Sequence, residues 1–117
     1  YTPGPRKEAS QSRDNKNSEL LAYLLDKLKA LKDVNGEPML NNTTVIFGSN
    51  IRSIHYLDNC PTLVAGNSHN LIQGQHMVMP EKDTRLCNLW LTLLKSNGLN
   101  VNRFGDSNGV VPALIKG

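Results

Sequence analysis

The apolar positions of the chain fall into a few groups separated by polar stretches. Leu20, Leu21, Leu24, Leu25, Leu28 and Leu31 recur at three- and four-residue spacing, which places them on one wide face of a helix. Ser18 or Asn17 offers a cap for its start. Lys27, Lys29 and Lys32 crowd its end, where the helix dipole favours cations. The spacing therefore predicts a helix over residues 18–32. Asn35-Gly36 then supplies a turn, and Pro38 bars continuation. Thr43-Thr44-Val45-Ile46-Phe47 is a β-branched and aromatic run ended by Gly48, and Thr62-Leu63-Val64-Ala65 precedes Gly66. Their apolar residues are consecutive rather than alternating, which predicts strands buried on both faces. Met77-Val78-Met79 predicts a third, shorter strand that Pro80 stops. Leu86, Leu89, Trp90, Leu93 and Leu94 form the stripe of a second helix. Asp83 or Thr84 would cap it, and Gly98 stands where a left-handed residue ends such a helix.

The polar stretches carry their own information. Residues 1–17 hold two prolines and a glycine, show no apolar period, and predict an extended or disordered arm. Residues 49–60 separate the first two strands. A loop of that length between core strands is uncommon and is often functional. The tail from Phe104 onward is Gly-rich and irregular. The order of elements is an α/β pattern. Two or three short, doubly buried strands do not make a sheet by themselves, because such strands need neighbours and covering helices. Together with a start at Tyr1 rather than Met, this predicts that residues 18–117 are the C-terminal part of a larger α/β domain, preceded by the 1–17 arm. The missing N-terminal part of the same polypeptide would then be the chain's first partner.

Composition narrows the classes. The chain has 117 residues, 38% apolar and 20% charged, which excludes collagen-like and fully disordered polymers. No apolar run is long enough for a transmembrane span. The net charge of +3 is not focused: Arg6, Lys7, Arg13 and Lys16 stand against Glu8 and Asp14 in the arm, and the rest is scattered. With aromatics at 5%, the basic stripe and stacking platforms of a nucleic-acid binder are missing. Cys60 and Cys87 are the only cysteines. They stand as two buried thiols or as a disulfide, the latter requiring an oxidising compartment and close Cα atoms.

Chemistry-bearing residues concentrate after the first strand, and ligand sites of open α/β sheets gather at strand carboxyl ends. Ser49, Asn50, Arg52 and His55 are the best-placed polar set there. His55 and Asp58, three apart on the loop, are candidate metal ligands or an acid–base pair. Ser49 lacks the surroundings of a nucleophile elbow. His69 lies in a turn-like Asn-Ser-His-Asn stretch, and His76 precedes the third strand candidate. Phe104-Gly105-Asp106-Ser107-Asn108-Gly109 has neither a dinucleotide fingerprint nor a calcium-loop ladder. It predicts a turn in which Asp106 and Asn108 satisfy local amides and the glycines take positive φ.

Four stretches in this order resemble one bacterial family: Leu21-Ala22-Tyr23-Leu24-Leu25-Asp26-Lys27-Leu28-Lys29, Leu63-Val64-Ala65-Gly66, Leu86-Cys87-Asn88-Leu89-Trp90-Leu91-Thr92-Leu93-Leu94 and Phe104-Gly105-Asp106-Ser107. They resemble the C-terminal part of the secreted proteins grouped as domain of unknown function 1552, over about Ser18 to Leu114. The resemblance implies an alkaline-phosphatase-like sandwich, related to the sulfatases, and a secreted or periplasmic location. It further implies metal-assisted hydrolysis of a phosphate or sulfate ester, with zinc, manganese or calcium as the metal in the full-length protein. The superfamily ends a strand in Asp-His, where this chain has Gly48-Ser49-Asn50. The family's loop holds His-x-His-Asp-Asn, where this chain reads His55-Tyr56-Leu57-Asp58-Asn59, so the second His is Leu57. A non-catalytic extracellular binding or structural protein that uses the 49–60 loop is the alternative expectation.

Overall fold

The computed structural model describes residues 4–49, 51, 55–66, 71–80, 82 and 84–116. Among these described residues the chain is mixed α/β, with two α-helices and one two-stranded sheet, and it divides into two compact units, Tyr1–Leu40 and Asn41–Gly117.

The first unit is built on helix α1, Pro5–Ala30. It begins well before the expected residue 18, so most of the stretch read as an extended or disordered arm is helical. The reason lies in its first turn. Gly4 is extended, Pro5 takes the first helical position, where its missing N–H costs nothing, and Glu8 suits the positive end of the helix dipole. The Gly4 carbonyl accepts from the amides of Lys7 and Glu8. Ser18 consequently sits inside the helix and caps nothing: its hydroxyl donates to the Asp14 carbonyl at 3.0 Å. Lys27 and Lys29 close the last turn as expected. The chain then reverses through an Asx turn, with Asp33 Oδ1 accepting from the amides of Asn35 and Glu37. A Lys32–Pro38 bridge and a Met39 amide to the Leu31 carbonyl complete the reversal. No residue of α1 is buried; Leu21, Leu25 and Leu28 are half-buried, and Leu20, Leu24 and Leu31 are exposed.

The second unit holds strands β1, Val45–Gly48, and β2, Thr62–Ala65. They pair antiparallel with Val45 opposite Ala65 and Gly48 opposite Thr62. Contrary to expectation, the strands are not buried on both faces: Ile46 and Phe47 are each 38% exposed and Leu63 is 46% exposed. Met77-Val78-Met79 forms no strand, and Val78 is 85% exposed. Pro80 removes a donor beside it, and the described strands do not extend to it as a pairing partner.

Helix α2, Leu86–Ser96, is the centre of this unit. Arg85 is its N-cap residue and contributes no side-chain capping bond; Thr84 precedes it, and Asp83 lies outside the described residues. Its C-terminus follows the expected design. The amide of Gly98 bonds to the Lys95 carbonyl and that of Leu99 to the Leu94 carbonyl, the paired bonds of a Schellman motif. Gly98 has φ +83 and open space around it. Gly98→Ala should therefore cost only the conformational penalty, about 1 kcal/mol, read as a small drop in the urea midpoint.

Among the described residues the buried apolar side chains are Leu71, Leu91, Leu93 and Val111. Leu71 bridges to Ile115, and the Ile72 amide reaches the Leu114 carbonyl beside a short 3₁₀ turn, Pro112–Leu114. Among the described residues no helix is long and apolar enough to cross a membrane.

Candidate functional site

The 49–60 loop starts where β1 ends. The Ser49 amide donates to the Pro61 carbonyl at 3.3 Å, closing the base of the loop directly past the Gly48–Thr62 pair. The Ser49 hydroxyl is used locally. It donates to the Ile51 carbonyl at 2.7 Å and accepts from the Ile51 amide at 3.1 Å. A hydroxyl bound on both sides to its own loop is a turn-former. Asn50 and Arg52 lie outside the described residues, as does His69.

His55 opens the far arm of the loop, and both it and Asp58 are exposed. The chain turns back at Asn59, which takes φ +52. The Cys60 thiol donates to the Leu57 carbonyl at 3.3 Å and ties that turn down. Cys60 and Cys87 are both free and half-buried. Between His55 and Asp58 the loop presents Tyr56 and Leu57, 57% and 73% exposed. Among the described residues no group of three or more His, Cys, Asp or Glu side chains converges. A metal of the zinc type takes three or four protein ligands, so His55 and Asp58 do not by themselves fit a resident ion. His76 is exposed and stands in no such group.

A tighter arrangement forms where α2 meets the Phe104–Val111 segment. Asn88 and Asn108 pair through their amides: Asn88 Nδ2 donates to Asn108 Oδ1 at 2.8 Å, and the Asn108 amide donates to Asn88 Oδ1 at 2.9 Å. Thr92, with no exposed surface, donates to the Asn88 carbonyl at 2.6 Å and accepts from the Val111 amide at 2.8 Å. The Ser107 hydroxyl accepts from the Phe104 amide, and the Phe104 carbonyl accepts from the Ser107 amide. Arg85 and Arg103 donate to the carbonyls of Asp106 and Gly105. Gly105 takes φ +53 with its Cα side against Cys87, where an added Cβ would stand 2.9 Å from the sulfur.

The expectation of a turn therefore holds at Phe104–Ser107, but the bonding differs. Ser107, not Asp106, satisfies the local amide, and Asn108 reaches across to α2. Gly109 is not among the residues with positive φ. The sequence signal for this arrangement is faint: Asn88 and Thr92 are polar interruptions, four apart, in the apolar stretch Leu86–Leu94.

That polar pair also explains which side of α2 is covered. At 100° per residue, Asn88, Leu91 and Thr92 lie on one side and Leu86, Trp90, Leu93 and Leu94 on the other. The first side is the more fully buried, with Leu93 the one buried member of the second. The second side faces an open cavity of about 310 Å³, lined by Thr44 and Ile46 beside Trp90, Leu93, Leu94, Asn97 and Phe104. No family model matches the chain, and no curated protein and no solved structure matches it.

Proposed function

We propose that this chain is the C-terminal part of a secreted bacterial protein of the kind grouped as domain of unknown function 1552, related to the alkaline-phosphatase and sulfatase sandwich. Residues 41–117 serve there as a structural layer rather than as a self-sufficient catalytic centre. The observation that carries this reading is the uncovered apolar side of α2. One side is sealed by the Phe104–Val111 segment, while the other, with Trp90 and Leu94, borders an open apolar cavity beside a ribbon whose Ile46, Phe47 and Leu63 are uncovered. An apolar helix side that borders an open cavity is a surface suited to a further packed layer, and a two-stranded ribbon is marginal until further strands join it. Any phosphate- or sulfate-ester chemistry of the whole protein would draw its nucleophile and most of its metal ligands from outside these residues.

Trp90 is the single tryptophan of the chain and stands on the cavity wall, so it reports the test directly. Acrylamide should quench Trp90 readily in this chain and much less in the longer polypeptide that includes its N-terminal part. Equal quenching in the two would sink the reading. Equilibrium dialysis against zinc, manganese and calcium supplies a second check on the loop. This chain should retain no stoichiometric metal, and His55→Ala should leave that result unchanged. Stoichiometric uptake that His55→Ala abolishes would restore a metal role to the loop.

One observation favours a second reading for the loop itself. Tyr56 and Leu57 stand exposed on an arm whose base and turn are both hydrogen-bonded. Such a presentation suits contact with a glycan or a protein partner, without catalysis.

A further inference from the structure

We draw no further inference here: the strongest candidate, the apolar cavity between β1 and α2 bordered by Ile46, Trp90, Leu94 and Phe104, belongs to the uncovered surface already described, and nothing in the structure shows what covers it.

Discussion

Replacing Gly66 with alanine should disrupt the β1–β2 ribbon, the largest effect expected from any single methyl group in this chain. Gly66 follows β2 with φ +99, and a Cβ built there would lie 1.9 Å from the Thr43 carbonyl oxygen. Two penalties therefore coincide. The backbone conformation is one that L-residues avoid, at roughly 1–3 kcal/mol. The clash is with main chain, which cannot swing aside as the end of a side chain can, and overpacking of that kind adds roughly 1–3 kcal/mol more. The total of about 2–5 kcal/mol contrasts with Gly98→Ala, where the conformational term acts alone. The two variants share a positive φ and differ in what the new Cβ meets, so their difference isolates the steric part. Urea denaturation gives the global loss, and amide hydrogen exchange across residues 45–48 and 62–65 gives the local one. A Gly66→Ala protein with wild-type midpoint and unchanged ribbon protection would show that the strands do not approach as described.

The second large effect is expected at Thr92. Its hydroxyl is the one group that satisfies the Val111 amide, and the bond is buried. Thr92→Val keeps the shape and removes the acceptor, leaving a buried N–H without a partner at a cost of about 1–3 kcal/mol. Thr92→Ser keeps the acceptor and loses one methyl group, worth about 0.8 kcal/mol. The ranking wild type, then Ser, then Val distinguishes a hydrogen-bonding role from a space-filling one, which would reverse the two variants. Thermal unfolding followed by circular dichroism suffices, since 1 kcal/mol moves the midpoint of a unit this size by roughly 4–8 °C. Indistinguishable midpoints for Val and wild type would remove Thr92 from the set of bonds that hold the Phe104–Val111 segment.

How much of this was legible in the sequence differs between elements for physical reasons. The β2 strand, the existence of α2 and its Gly98 terminus followed from short-range signals: β-branched runs, three-to-four spacing and a glycine in the right place. The first half of α1 left no such trace. Arg6, Lys7, Glu8 and Ala9 are good helix formers behind an N-terminal Pro, but residues 6–17 carry a single apolar side chain, Ala9, and so offer no apolar period to detect. Burial at the strands is not legible locally, because consecutive apolar residues report what the sequence is suited to, while exposure depends on which neighbours are present. Met77-Val78-Met79 has the strand composition but pairs with no strand among the described residues, and pairing, unlike composition, is not local. The candidate site was legible only in part. Ser49 could be placed at a strand end, yet its engagement by Ile51 could not be foreseen. The Asn88–Asn108 pair joins residues twenty apart in the chain, a relation that spacing rules do not reach.

The closed base of the 49–60 loop has a consequence for how this region tolerates change. With the Ser49 amide held to the Pro61 carbonyl, the ends of the loop are tied to the ribbon. Loop-closure entropy grows only slowly with length, about 0.6 kcal/mol for each doubling. Peptide inserted between Tyr56 and Asp58 should therefore leave the register of both strands in place, which amide hydrogen exchange across residues 45–48 and 62–65 would check. On that expectation the loop would act as a cassette, a position where sequence can diversify or a reporter peptide can be spliced in while the frame beneath it stays the same.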